Sequence, residues 1–389
     1  MKTNKFILGL FTALTLLVVG CAADDTADVT INLDNGGSNP TNPSDLEIGG
    51  TLTSDLTLTT GTEYDLTSAL IVPDGITLTI DPGVVVRATT GSDVYVAVQQ
   101  GGVIMAEGTS SNPIVFTSNS ATPNPGDWGG LIVLGRAPIN SVVGGDATST
   151  SEIGGLPYGG SNASDSSGII RYVRIEYSGG AADAASENNG FSFYGVGSGT
   201  TIDFIQAFEG ADDGVEFFGG TVNASHISVV GAQDDSVDWT EGFTGTLTDV
   251  YIEHRQSHDK GIEGDGFNTD IGNNSNPVFW SAPTVNNITI NGLGSSNGNE
   301  AIRLRAGTRA MFNNVLIQGF EEGYDLDDEE TGVGVLANET GVTDITFSDV
   351  MLNLKNDTNG AFDADTFFSG IGNGTGANYD SWNSGWTRN

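Results

Sequence analysis

Three acidic residues, Glu216, Asp238 and Glu263, occupy the same position in a repeated six-residue pattern. The pattern is a small acid or amide, a variable residue, a small residue, and then apolar, polar and apolar residues. Its copies begin at residues 188, 212, 234, 259, 299 and 321, so the intervals are 24, 22, 25, 40 and 22 residues. Alternating apolar and polar residues are typical of a strand with one buried face, so the acidic fifth residue is predicted to point outward.

Stacked copies of this pattern would place like charges side by side. The outward column reads Ser192, Glu216, Asp238, Glu263, Arg303 and Asp325. If successive copies pair as parallel strands, neighbours in the column lie about 4.8 Å apart. Adjacent carboxylates at that spacing are unfavourable unless a cation offsets them, and Ca²⁺ prefers clustered carboxylate oxygens. The pattern therefore predicts a Ca²⁺ site, with the candidate ligands Asp212, Asp213, Asp234, Asp235, Glu216, Asp238 and Glu263.

Two other interpretations of the same column stay open. In the first, the carboxylates form a solvated acidic face, and Asp side chains hold the turn backbone. In the second, paired carboxylates catalyse glycoside hydrolysis, or a lyase uses them together with neighbouring cations. The candidate catalytic residues are Glu216, Asp238, Glu263, Lys260 and Arg303. Arg255, Arg305 and Arg309 complete the basic cluster. In the alternative interpretation, these basic residues serve only as counter-ions of the acids beside them.

The elements that position these side chains are predicted to be short strands. A second strand precedes the later copies, as in Ile227/Val229, and we find no long stretch with apolar residues at helical spacing. Two or three short strands per turn of about 22–25 residues are typical of a parallel β-helix, in which each coil stacks on the last. The sequence therefore predicts an all-β parallel β-helix over residues 46–355, with an inserted loop around residues 268–283. Residues 356–389, including Trp382 and Trp386, are expected to cap its end.

Several motifs resemble those of a known family. They are ITLTIDPG at residues 76–83, AEGT at 106–109 with PIVFT at 113–117, DWGG at 127–130 and DDGVEFFGGTV at 212–222. These motifs are similar to those of bacterial lipoproteins of the right-handed parallel β-helix repeat type. The resemblance implies a right-handed solenoid and a location in the cell envelope, and it brings no biochemical activity with it.

The amino terminus resembles an export signal. A basic stretch and a short apolar run precede Cys21, as in the lipobox of bacterial lipoproteins. We therefore expect a lipoprotein signal peptide at residues 1–20, lipid attachment at Cys21 and a flexible acidic tether over residues 21–45. The acidic pair Asp24–Asp25 resembles the surface-export signals of Bacteroidetes lipoproteins. The expected location is the outer membrane, with the protein exposed on the cell surface.

Composition narrows the function further. The chain of 389 residues has 50 acidic and 13 basic residues and a formal net charge of −37, and a field of that sign repels nucleic acid. With Cys21 as the only cysteine, a disulfide within the chain and a cysteine-based zinc site are excluded. We expect a lipid-anchored surface protein whose acidic face binds Ca²⁺ and an extracellular polysaccharide or surface protein. The alternatives are a polysaccharide lyase or glycoside hydrolase, and a purely structural envelope or adhesion spacer.

Overall fold

The computed structural model describes residues 46–141, 148–182, 186–256, 258–269 and 277–389. The signal peptide, the lipid attachment at Cys21 and the tether that the sequence predicts all lie outside these residues. Among the described residues, no helix has the length and apolar character needed to cross a bilayer.

Short strands make up almost all of the described chain. In chain order they are β1 (Leu46–Thr51), β2 (Leu56–Leu58), β3 (Glu63–Val72), β4 (Thr77–Ile80), β5 (Val85–Ala88), β6 (Val96–Val98), β7 (Val103–Glu107), β8 (Ile114–Ser118), β9 (Leu131–Leu134), β10 (Thr148–Thr150), β11 (Pro157–Gly159), β12 (Gly168–Glu176), β13 (Phe191–Tyr194), β14 (Thr201–Phe208), β15 (Val215–Phe218), β16 (Ala224–Val230), β17 (Val237–Thr240), β18 (Thr246–Glu253), β19 (Ile262–Asp265), β20 (Thr284–Asn291), β21 (Glu300–Arg305), β22 (Met311–Asp327), β23 (Gly341–Asp357) and β24 (Phe368–Ile371). The helices are α1 (Glu329–Leu336), α2 (Ala364–Phe367) and a 3-10 turn (Tyr379–Ser381). Twenty-two strands join into one continuous sheet, and β10 and β11 form a separate antiparallel hairpin. The predicted all-β parallel β-helix is confirmed.

Each central coil contributes three strand segments, so three parallel faces run along the solenoid. The first sheet consists of the C-terminal ends of β1 and β3, then β6, β9, β13, β15, β17, β19, β21 and the C-terminal halves of β22 and β23. The other two faces share the strands β12, β14, β16, β18 and β20, which bend between them. The bend residue has a positive φ in successive coils, as at Phe204 (53°), His226 (52°) and Asn287 (54°). The bend turns the chain from one face to the next without a separate loop.

Apolar columns fill the interior and fix the register. Val215 pairs with Val237 in the next coil, and Val237 pairs with Ile262; all three are fully or almost fully buried. These partners are 22 and 25 residues apart, which is the predicted coil length. A slip of one residue would turn the outward carboxylates into the core, so the apolar columns select one register. The extra residues of the long coil lie between β19 and β20.

Between β9 and β12, the described residues 135–141 and 148–167 leave the solenoid and pack on the outside of the first sheet. Its hairpin brings Tyr158 against Tyr194, with ring centroids 4.8 Å apart, and Tyr194 stacks on Phe218 at 3.9 Å. The Tyr158 hydroxyl donates a hydrogen bond to Glu241 Oε2 over 2.6 Å. A second, smaller apolar core forms here, so this segment is a fixed wall above the first sheet.

The end of the solenoid is closed by α2 and β24. Strand β24 pairs with β23, and Phe367 and Phe368 pack into the core beside Tyr324, with ring centroids 5.2 and 5.5 Å away. These apolar rings cover the last coil, which would otherwise expose its interior.

Beyond residue 371 the chain runs back along the side of the solenoid, which corrects the expectation that all of residues 356–389 form an end cap. Tyr379 stacks on Tyr251 at 3.7 Å, and Trp386 packs edge-on against Tyr172 at 5.7 Å. Trp382 likewise lies along the side, edge-on to rings of that face. The aromatic residues at successive bends offer rings on which this tail packs.

Candidate functional site

The outward column of acids is present in the register that the repeat predicts. On the first sheet Glu216 pairs with Asp238, and Asp238 pairs with Glu263. We call these three residues the acidic section. The column continues through Arg303, Asp325 and Lys355, which we call the paired section because its charges alternate in sign. The acidic section is therefore a run of like charges on neighbouring strands.

A groove of about 780 Å³ lies over the acidic section. Its lining residues are Glu152, Glu187, Asn189, Asp212, Asp213, Glu216, Asp234, Asp235, Asp238, Asp259, Lys260, Glu263, Arg303 and Arg305. All seven predicted Ca²⁺ ligands and all five candidate catalytic residues are among them. The groove thus contains ten carboxyl groups and three cationic side chains, so the predicted residues form one site.

All of the groove's carboxyl groups except those of Glu152 and Glu187 are buried or half-buried, which differs from the solvated face of the first alternative interpretation. Asp213 is 7% exposed and Asp235 is 4% exposed. Two residues that sequence reasoning missed also line the groove: Glu152 lies between the strands of the β10/β11 hairpin, and Glu187 precedes β13. Both belong to segments outside the repeat, so the six-residue pattern gives no signal for them.

In the pairs Asp212–Asp213 and Asp234–Asp235, the second aspartate forms a hydrogen bond with the backbone of the next coil. Asp213 Oδ1 accepts a hydrogen bond from the backbone N–H of Asp235 over 2.8 Å, and Asp235 Oδ1 accepts one from the backbone N–H of Lys260, also over 2.8 Å. Asn189 Nδ2 donates to Glu216 Oε2 over 2.6 Å. These contacts fix one oxygen of each group, and because a carboxylate accepts several bonds, the other oxygen remains available to a ligand.

Lys260 neutralises one end of the groove. Its Nζ lies 2.6 Å from Asp259 Oδ2, 3.1 Å from Glu263 Oε1 and 3.7 Å from Asp235 Oδ1. Burial opposes the charged form, but these carboxylates outweigh it and raise the pKa of Lys260. The ammonium therefore stays protonated at neutral pH, which suits a counter-ion and does not suit a catalytic base.

The arginines do not form the single cluster that the sequence suggested. Arg305 bonds Glu263 and Asp265 inside the groove, at 2.5 and 2.6 Å. Arg303 directs its guanidinium to Asp327, with N–O distances of 2.6 and 2.8 Å. The other two arginines pair outside the groove, Arg255 with Glu209 and Arg309 with Glu339. The cations therefore gather at the Glu263 end.

The opposite end of the groove holds carboxyl groups that lack a basic partner. Within the described residues, no Lys or Arg forms an ion pair with Asp213, Glu216 or Asp238, and Asp238 Oδ1 is buried there without a hydrogen-bond partner. One oxygen from each of the three residues lies within 4.8 Å of the others. Ligands of one Ca²⁺ ion, each about 2.3–2.6 Å from it, are at most about 5 Å apart. The three carboxyl groups therefore fit the coordination distances of one Ca²⁺ ion.

Burial and mutual repulsion change the titration of these groups. Burial first, and then the charges of Glu263 and Asp235, raise the pKa of Asp238 well above its usual range. Burial, together with Glu187 and Asp234, raises the pKa of Asp212 to about 8. Such groups either hold a proton at neutral pH or bind a cation that replaces it.

The fold is a parallel β-helix, and its carboxyl-lined groove lies on the outer side of one sheet. The Pectate-lyase like beta helix domain family matches residues 50–387, and the chain belongs to this family. A search of curated proteins found no match. Among solved structures, the catalytic unit of a thermostable GH87 alpha-1,3-glucanase from Streptomyces thermodiastaticus strain HF3-3 has 11% sequence identity and a TM-score of 0.26, and the match covers 83% of this chain and 65% of that chain.

Proposed function

We propose that the groove binds Ca²⁺ through Asp213, Glu216 and Asp238, and that the bound ion helps to hold an extracellular glycan. The observation that carries the proposal is a trio of carboxyl groups, one buried and two half-buried, that have no Lys or Arg partner among the described residues. The trio lies at one end of the groove, and Lys260 and Arg305 neutralise the other end. We further propose that the protein displays this groove at the cell surface, anchored to the outer membrane through lipid on Cys21.

Repulsion between the groove's carboxylates favours the binding of a divalent cation. Several carboxylates brought within 4.8 Å of one another repel strongly in a partly buried site. Carboxylate oxygens are the preferred ligands of Ca²⁺, which tolerates irregular geometry and six to eight ligands. A bound ion would offset the charge of the trio and leave coordination positions on the groove side for hydroxyl or carboxylate oxygens of a sugar.

The glycan part of the proposal is supported by the family and by the shape of the site. The name of the family refers to pectate lyase, an enzyme that acts on a polysaccharide. A groove of about 780 Å³ that crosses several coils suits an elongated ligand.

The test compares thermal unfolding in EDTA and in Ca²⁺ for the wild type and for Asp238→Asn. In EDTA the folded wild type must either keep the Asp238 carboxyl group charged beside its neighbours or protonate it, and asparagine avoids both costs. The melting temperature of Asp238→Asn in EDTA should therefore lie above that of the wild type, and the loss of a ligand should abolish most of the Ca²⁺-induced rise. Glu107→Gln, on another face and half exposed, is the matched control and should keep the wild-type response. If the wild type shows no Ca²⁺-induced rise, the ion site is refuted.

A hydrolase is the second candidate, because a protonated carboxyl group at neutral pH is what a general acid requires. Asp212, with its pKa raised to about 8, is the group to examine, since Lys260 is held in its charged form. Incubation with neutral and uronate polysaccharides, with measurement of reducing ends and unsaturated products, tests this function. Activity that Asp212→Asn removes while Ca²⁺ binding persists would favour the hydrolase.

A further inference from the structure

A second cleft, of about 490 Å³, lies on the other side of Arg305 from the groove. We call it the aromatic cleft. Its lining residues are Phe267, Thr269, Arg305, Ala306, Asp327, Asp328, Glu329 and Glu330. The volume is in the range of sites for small ligands, about 300–1,000 Å³. Because Arg305 lines both spaces, the cleft adjoins the groove.

Successive coils build the cleft from the same turn of the solenoid. Phe267 lies just after β19, Ala306 follows β21 directly, and Asp327 is the last residue of β22. Phe267 is half-buried, and its ring packs beside Trp280 with centroids 5.9 Å apart. The aromatic ring of Phe267 and the methyl group of Ala306 therefore form the apolar floor of the cleft.

Carboxyl groups form the rim, and the structure holds two of them in place. Asp327 accepts two hydrogen bonds from Arg303, over 2.6 and 2.8 Å. Asp328 caps the start of α1 by accepting from the backbone N–H of Thr331 over 2.9 Å. Each carboxylate has further lone pairs that can accept a hydroxyl donor. The rim is thus a set of positioned acceptors around an apolar floor.

This combination suits a sugar without charge. The apolar face of a pyranose packs on an aromatic ring, and its hydroxyl groups donate to carboxylates. An anionic sugar would meet four acidic residues, whereas the single cation, Arg305, already pairs with Glu263 and Asp265, so the cleft repels it.

We propose that the aromatic cleft binds one neutral sugar unit of the glycan whose neighbouring units lie in the groove. The proposal rests on the proposed function, because the cleft extends the same binding site past Arg305. The proposed glycan runs from the groove into the aromatic cleft, and the sugar unit that stacks on Phe267 carries no charge.

The experiment measures binding of neutral oligosaccharides (gluco-, galacto-, manno- and xylo-oligosaccharides) of two and six units, and of a galacturonate hexamer, in Ca²⁺. The wild type should bind a neutral hexamer more tightly than the matching dimer and than the galacturonate hexamer. Phe267→Ala should weaken binding of that hexamer by about 10-fold, which corresponds to the loss of one aromatic contact. Phe267→Trp should retain it, and Phe362→Ala, a half-buried phenylalanine outside both spaces, should not change it.

The outcomes separate the two proposals. If the wild type and Phe267→Ala bind the neutral hexamer equally, the aromatic cleft is not a subsite, and the groove proposal stands. Preference for the galacturonate hexamer overturns the neutral class while leaving glycan binding in place. If no glycan binds, both the cleft and the glycan part of the proposed function fail, and the Ca²⁺-induced rise in melting temperature still decides the ion site separately.

Discussion

Lys260 acts as an internal counter-ion, and the substitution Lys260→Met tests this role. The ammonium lies within 4 Å of three carboxyl groups, those of Asp235, Asp259 and Glu263. Methionine has a similar length and no charge, so it fills the space and removes only the neutralisation. The three carboxyl groups would then repel one another like the trio at the other end of the groove.

The expected loss follows from the burial of the partners. The side chains of Asp235 and Glu263 are 6% and 9% exposed, whereas that of Asp259 is 47% exposed. Removing one partner of a buried ion pair costs about 3–5 kcal/mol, and an exposed pair contributes less than about 1 kcal/mol. We therefore expect Lys260→Met to lower the free energy of unfolding by about 3–5 kcal/mol at pH 8 in EDTA.

Chemical denaturation followed by tryptophan fluorescence measures this loss. The control is Arg136→Met, which breaks a pair with Asp74 whose side chains are 45% and 76% exposed, and it should cost less than about 1 kcal/mol. A loss for Lys260→Met as small as that of the control would refute the counter-ion role.

Calcium provides a second readout on the same variant. Without the ammonium, the oxygens of Asp235, Asp238 and Glu263, which lie within 4.8 Å of one another, lose the charge of Lys260 and can bind a cation in its place, while Arg305 still pairs with Glu263. Ca²⁺ at 100 times its dissociation constant should restore about 2.7 kcal/mol. The Ca²⁺-induced gain should therefore be larger in Lys260→Met than in the wild type, and an equal gain in both would show that this trio is not a cation site.

Two further predictions follow from buried groups. Burial raises the pKa of Asp212 to about 8 and that of Asp265 to about 7, so above about pH 4 the folded protein holds more protons than the unfolded chain. The melting temperature in EDTA should therefore fall between pH 5 and pH 8. A melting temperature that rises over this range would contradict the raised pKa values of these two groups. Trp386 is completely buried, so Trp386→Ala should lower the free energy of unfolding by about 3–5 kcal/mol and expose the C-terminal tail to limited proteolysis, whereas an unchanged cleavage pattern would argue against the docked tail.

The repeat explains why the column could be predicted from the sequence. Each copy contains the same alternation of apolar and polar residues, and one coil separates successive copies. The register of Glu216, Asp238 and Glu263 then follows from stacking alone. The interior partners Val215 and Val237 were predictable for the same reason.

The inserted hairpin beside the site and the docked tail could not be predicted, because their contacts do not repeat along the sequence. The hydrogen bond between Tyr158 and Glu241 joins residues 83 positions apart, and the one between Arg388 and Glu176 joins residues 212 positions apart. Neither the inserted hairpin nor the tail repeats any pattern of the coils. Of these two segments the hairpin lines the groove, through Glu152, so the sequence indicated a solvated face as readily as a buried site.

The paired section of the column shows that the fold itself does not require a run of acids. Outward positions on the same sheet carry Arg303, Asp325 and Lys355 in consecutive coils with parallel pairing throughout, and Lys355 Nζ lies 2.8 Å from Asp325 Oδ2. A basic residue at position 238 would satisfy the same backbone and would offset the repulsion between Glu216 and Glu263. Backbone geometry therefore does not explain the acids at these positions, and the proposed Ca²⁺ would offset the charge that they bring together.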